Sequence, residues 1–187
     1  MTTYTIRKLR ITDIYALNKM YDSLFEESKR LFHPGFLGFE SINLNWLLAQ
    51  LALAASSFAI SRKPLIRIHP LTTFLAIVST DKSGKIIGFA FVKRKNRSVA
   101  ESLLGELGIC VRDDYQGKGV GCELMARLLE LVKNEYFQSI YLRVLTRNLR
   151  AVHIYEKYGF RKTRIMPYGD VWRGKRFDSV EMWLDLY

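Results

Sequence analysis

Residues 108–121 read Gly108-Ile109-Cys110-Val111-Arg112-Asp113-Asp114-Tyr115-Gln116-Gly117-Lys118-Gly119-Val120-Gly121. An alternating, β-rich segment runs into a turn with glycine at every second position, and an amphipathic helical pattern follows at once. Glycines at such a junction let the main chain approach a ligand closely, and the first amides of the helix have no partner inside it. The positive end of the helix dipole adds to them, so the junction suits phosphate oxygens, and Lys118 supplies a full positive charge. Two familiar phosphate motifs do not fit. A P-loop needs Ser or Thr after the lysine, where Gly119 stands, and the dinucleotide fingerprint needs glycine where Cys122 stands.

The rest of the chain bounds what this junction can belong to. It has 187 residues, 49% of them apolar, 4 prolines and a formal net charge of +11. That length suits one domain, and that composition excludes a disordered chain. Cys110 and Cys122 are the only cysteines, which excludes a disulfide framework and a four-cysteine zinc site. Two free thiols point to a reducing, cytoplasmic compartment. The start, Met1-Thr2-Thr3-Tyr4, lacks the pattern of a secretory signal. Basic residues are spread from Arg7 to Arg176 without a block of five like charges, which speaks against a nucleic-acid-binding tail. The apolar run at 44–60 carries Asn45, Gln50, Ser56 and Ser57 and reads as a buried or lid-like helix, with an interfacial membrane helix as the alternative, not as a transmembrane span of about 20 apolar residues.

Working outward, Tyr4–Leu9 reads as a strand, followed after Thr12-Asp13 by a helix to about Arg30. Residues 33–38 form a loop, the apolar helix follows, and a second loop surrounds Pro64 and Pro70. Thr72–Ser79 and Lys85–Lys93 are strands joined by a turn at 81–84, and Leu103–Val111 is a third. The helix after the glycine turn extends to about Glu135. Gln138–Leu145 is a strand, Asn148–Tyr158 a helix closed by Gly159, and Phe160–Met166 and Ser179–Leu186 are strands. The order predicts one α/β (α+β) domain over 1–187, with a mixed, mostly antiparallel sheet flanked by helices.

The motif Gln116-Gly117-Lys118-Gly119-Val120-Gly121 resembles the Q/R-x-x-G-x-G/A hallmark of the GNAT superfamily of acyl-CoA-dependent N-acyltransferases. A second element in the family's order is Asn148-Leu149-Arg150-Ala151-Val152-His153-Ile154-Tyr155-Glu156-Lys157-Tyr158-Gly159-Phe160, of the N-x-x-A-x-x-x-Y-x-x-x-G-F kind. The likeness covers about 70–187 and the first strand and helix, whereas 31–70 has no counterpart and is expected to shape the acceptor site. The resemblance implies a GNAT-like sheet whose splayed strand pair holds acyl-CoA, and acetyl-CoA as co-substrate with no metal. It places the pyrophosphate on the amides of Gly117, Lys118, Gly119, Val120, Gly121 and Cys122 and the pantetheine arm along Ile109, Cys110 and Val111. Asn148 would contact the cofactor, and Arg112, Lys118 and Arg150 are candidates for its 3′-phosphate.

Transfer to an amine needs a proton acceptor, a donor to the oxyanion and a proton donor for the thiolate. By the resemblance Tyr155 is the general acid and the Val111 N–H the oxyanion donor. Independently, Tyr155 lies seven residues after Asn148, which brings both to one helix face. Related N-terminal acetylases carry a glutamate five residues before the asparagine, where this chain has Arg143. Glu106 is the alternative base: it shares a strand face with the small residues Gly108 and Cys110. Its competing role is an ion pair with Arg143, and a water relay is a third route for the proton. His153 reads as exposed or packed, His33 and His69 lack metal-ligand spacing, and Cys110 reads as a structural thiol.

The expectation is an N-acetyltransferase working by direct ternary-complex transfer to a protein amine (N-terminus or lysine) or a small amine. The alternatives are a non-catalytic CoA-binding module and a basic nucleic-acid-associated protein. A homodimer stays open. Residues 168–178 are expected as a loop lining the acceptor site, and the basic rim suggests an acceptor or partner with negative charge.

Overall fold

The computed structural model describes residues 4–32, 74–94, 103–135 and 137–187. The expected loop at 33–38, the apolar helix at 44–60 and the loop around Pro64 and Pro70 lie outside these residues, as do His33 and His69. Seven strands, β1 (Tyr4–Lys8), β2 (Phe74–Asp81), β3 (Ile86–Arg94), β4 (Leu104–Val111), β5 (Ser139–Leu145), β6 (Arg161–Trp172) and β7 (Lys175–Asp185), form one sheet ordered β1-β2-β3-β4-β5-β7-β6. Every neighbouring pair is antiparallel except β4 and β5. Parallel neighbours need a crossover, and helix α3 (Val120–Val132) supplies it. The mixed, mostly antiparallel sheet flanked by helices is the fold expected from the sequence.

The alternation of β4 divides the core in two. Leu107, Ile109 and Val111 face the α3 side, where Val120, Leu124, Met125, Leu128 and Val132 form a stripe at helical spacing. Cys110 faces the other side, with Phe89, Phe91 and helix α1 (Ile14–Asp22), which contributes Ile14, Leu17, Met20 and Tyr21. Leu124 is fully buried, and truncating such a leucine to alanine costs about 2–5 kcal/mol.

Two local expectations are corrected. The helix after β1 does not continue to Arg30: it ends at Asp22, and a separate helix α2 (Glu26–Leu31) follows. Ser23 Oγ turns back to the Met20 carbonyl at 2.7 Å. The Asp113 carboxylate then accepts the Phe25 N–H at 2.7 Å and the Ser28 hydroxyl. An acid from a distant segment thus caps the start of α2, a tertiary contact that helix periodicity does not report.

Residues 168–178 are not a loop. β6 and β7 continue as a hairpin through Asp170–Phe177, Val171–Arg176 and Trp172–Lys175 pairs. Its two-residue turn, Arg173-Gly174, has φ of 47° and 75°. Two positive φ values make the turn that matches strand twist, so the strands run right up to it.

Candidate active site

Strands β4 and β5 pair only at Leu104–Ser139, Gly105–Ile140 and Glu106–Tyr141. Past that point β4 stays bonded to β3 as far as Val111, and β5 stays bonded to β7 as far as Leu145. Each strand is held by its outer neighbour while the two part from one another. The Arg112 N–H donates to the Ile87 carbonyl of the β3 side at 2.9 Å. Backbone groups alternate along a strand, so the N–H and C=O of Ile109 and Val111 turn toward the gap. Gln116 confirms the direction: its Nε2 donates to the Val111 carbonyl at 3.1 Å.

The gap opens into a cleft of about 530 Å³. One bank is β4 and the glycine turn, with Ile109, Cys110, Val111, Gln116, Gly117 and Gly119 lining it. Gly121 and Cys122 continue that bank into the first turn of α3. Gly117 and Gly119 have φ of 78° and 85°, a region that side-chain-bearing residues enter at a cost. Gly119 is the N-cap of α3 and brings no side-chain hydrogen bond to the amides beyond it. Those amides remain donors for a ligand.

The opposite bank is helix α4 (Leu149–Lys157) with Asn148 as its N-cap. The Asn148 side-chain oxygen accepts the Ala151 N–H at 3.2 Å, which starts the helix, while the residue still lines the cleft. Tyr155, Ala151 and Arg150 line the same bank. The Arg150 guanidinium lies over the turn: a Cβ added to Gly117 would sit 2.6 Å from its Nη2. The Tyr155 ring packs 5.9 Å from that of Phe160. Burial, followed by the neighbouring Cys110 thiol, pushes the Tyr155 hydroxyl pKa well up, so it keeps its proton at neutral pH. Burial likewise raises the Cys110 thiol, in keeping with a structural role.

Three of the sequence-derived candidates do not line the cleft. Val120 is 1% exposed in the core, and Lys118 Nζ stands 5.3 Å from the Tyr115 ring centre. Arg112 is turned to the Asp114 carboxylate in a two-point contact. Among the three candidates for a phosphate partner, Arg150 is the one on the cleft.

Glu106 lies at the fork itself, opposite Lys93 on β3 and Tyr141 on β5. Its carboxylate is hydrogen-bonded by the Tyr141 hydroxyl; burial, and then the Glu106 charge, push that hydroxyl's pKa up. Arg143 pairs instead with Asp170 at 3.9 Å, so the two residues weighed as an ion pair have different partners. His153 is exposed at the rim.

Several lining residues carried no sequence signal. Ser28, Leu31 and Phe32 come from α2 and its end, which Gln116 and Asp113 hold in place through Ser28. Phe91 lies across Gly108, where a Cβ would be 2.4 Å from its ring. A glycine inside a strand was the one available hint of such an approach. Asp170 enters from β6. Among the described residues there is no cluster of His, Cys, Asp or Glu able to hold a metal, and no helix long and apolar enough to cross a membrane.

A family model described as the Acetyltransferase (GNAT) family matches residues 43–160, more than half of the chain. The chain belongs to the GNAT acetyltransferase family. An N-alpha-acetyltransferase from Saccharolobus solfataricus is 29% identical over 107 residues, covering 54% of this chain and 63% of that protein. An L-methionine sulfoximine/L-methionine sulfone acetyltransferase from Pseudomonas paraeruginosa is 27% identical over 112 residues, covering 59% and 60%. The match thus spans less than two thirds of either relative. The fold is that of yncA from Salmonella typhimurium, solved with its cofactor acetyl-CoA, at a TM-score of 0.75 and 19% identity over 98% of this chain and 94% of that one.

Proposed function

We propose that this GNAT chain is an acetyl-CoA-dependent N-acetyltransferase whose single domain, residues 1–187, transfers acetyl directly to a primary amine. The observation that carries the reading is the parting of β4 and β5 immediately beyond Glu106 and Tyr141, next to a glycine turn with free helix amides. The N–H and C=O of Ile109 and the N–H of Val111, turned toward the gap where β4 has left β5, suit the amide-bearing arm of CoA. The amides of the turn and Arg150 suit its phosphates.

Bound acetyl-CoA would supply an acetyl group activated as a thioester. The residues of the chain do the rest. Glu106 accepts the proton of the incoming ammonium, directly or through one water, so that the amine can attack. The Val111 N–H donates to the oxygen on which charge develops. Tyr155 donates its proton to the departing sulfur, and its raised pKa keeps that proton available. Direct transfer needs no cysteine nucleophile, in keeping with a buried, protonated Cys110. The named relatives act on α-amines and on amino-acid analogues, and a primary amine is the acceptor class they share.

The test is thiol release from acetyl-CoA against a panel of amines, for the native chain and Tyr155→Phe. The reading predicts amine-dependent release that falls about 100-fold or more in the variant, with acetyl-CoA affinity retained. Acetyl-CoA binding without amine-dependent release would assign a binding module instead.

A further inference from the structure

The acceptor end of the cleft holds charges of both signs on one sheet face. Tyr141 and Arg143 are two apart on β5 and so share a face, and Tyr141 reaches Glu106 on β4. Glu106, Arg143 and Asp170 all line the cleft. The Arg143 side chain is 42% exposed, and its ion pair with Asp170 is 3.9 Å long, beyond hydrogen-bond reach. Its cross-strand neighbour Glu181 accepts instead from Trp183 Nε1 at 2.7 Å. No hydrogen bond to the Arg143 guanidinium occurs among the described residues, although five N–H donors in a planar fork are the best carboxylate receptor a side chain offers. Leu31, Phe32 and Phe91 give the cleft an apolar wall.

Resting on the transferase reading above, we infer that the acceptor is a free α-amino acid whose carboxylate is held by Arg143 while its amine is directed at Glu106. Tyr141 and Arg143 stand two residues apart on β5, about 6.6 Å along the strand. Glu106 faces Tyr141 across the ladder, and the amine nitrogen and carboxyl carbon of an α-amino acid are about 2.5 Å apart, so the Glu106 and Arg143 side chains reach across the rest of that interval. A neutral amide in the carboxylate's place would offer the guanidinium one uncharged acceptor. It would lose the charge-assisted, two-point contact. The side chain of the amino acid would lie against the apolar wall.

The experiment is steady-state thiol release with the free L-amino acids, their carboxamides and dipeptides that begin with the same residues. At least one free acid is expected to exceed its amide by about 10-fold or more in kcat/KM, the scale of a charge-assisted contact. Arg143→Gln should raise KM for that acid by a similar factor, leave kcat within about threefold and bring the acid-to-amide ratio close to one. Arg143→Lys, which keeps the charge but not the fork, should retain part of the preference. Amides or dipeptides used as well as the acids, or an Arg143→Gln loss equal for acid and amide, would overturn the inference and leave the transferase reading standing. Absence of release with every amine would overturn both.

Discussion

Glu106 and Tyr141 are the last facing pair of the β4–β5 ladder, and the tyrosine hydroxyl is hydrogen-bonded to the carboxylate. The pair closes the fork and fixes the carboxylate at the point where the strands part. Trp183 stacks on the Tyr141 ring with centroids 5.2 Å apart, which holds the donor in turn. Glu106→Gln is expected to lower kcat/KM by about 100-fold. Tyr141→Phe, which leaves the carboxylate in place without its donor, should cost about 3- to 10-fold. Because the two act as one unit, the double variant should lose less than the product of the single losses, and a double-mutant cycle in kcat/KM measures this.

The glycine turn makes a second prediction, separating backbone from contact effects. Gly119 has φ of 85° and an added Cβ would meet nothing closer than 4.0 Å. Gly119→Ala should therefore cost about 1–2 kcal/mol of stability through backbone conformation alone. Gly117→Ala carries the same backbone cost and also displaces the Arg150 guanidinium. Its acetyl-CoA affinity should fall further than that of Gly119→Ala, as read by titration calorimetry alongside urea unfolding.

Acid sensitivity is expected at the N-terminal strand. The Arg7 guanidinium donates to both Asp13 oxygens, at 2.6 and 2.7 Å, and the Arg10 N–H adds a third contact at 2.7 Å. These contacts, Arg7 first, hold the Asp13 carboxyl below its ordinary value. A lowered folded-state pKa contributes stability above the unfolded-state value, and that contribution is lost as pH falls through the folded one. Urea unfolding at neutral pH and below the ordinary aspartate range should show a drop that is smaller in Asp13→Asn.

The two thiols should differ in reactivity. Cys110 is buried with its pKa raised, whereas Cys122 is half-buried on the cleft wall. Iodoacetamide should label Cys122 in the native chain and spare Cys110 until unfolding. Acetyl-CoA should slow labelling at Cys122, as peptide mass spectrometry reads it.

The local parts of the fold were legible in the sequence, because local chemistry decides them. Alternation set β4 and its two faces, and the spacing of Asn148 and Tyr155 put both on one helix face lining the cleft. Contacts between distant segments were not legible. The Asp113 carboxylate caps the start of α2 through Phe25 and Ser28, the latter 85 residues away, and nothing in the α1–α2 stretch encodes that acid's arrival. Arg143 taking Asp170 as its partner depends on where β6 runs, and the 168–178 stretch reads as a loop until both φ values of the Arg173-Gly174 turn are known. For Lys118 the glycine motif suggests a phosphate contact, and its ammonium stands beside the Tyr115 ring.

The most direct test of acetyl transfer within the fork is a single-turnover experiment with acetyl-labelled acetyl-CoA and excess enzyme, with and without an amine acceptor. The account predicts that label moves to the amine in one step, that no labelled protein accumulates without acceptor, and that Tyr155→Phe slows the step. Label trapped on the protein, or label that stays on CoA when every amine is present, would contradict it.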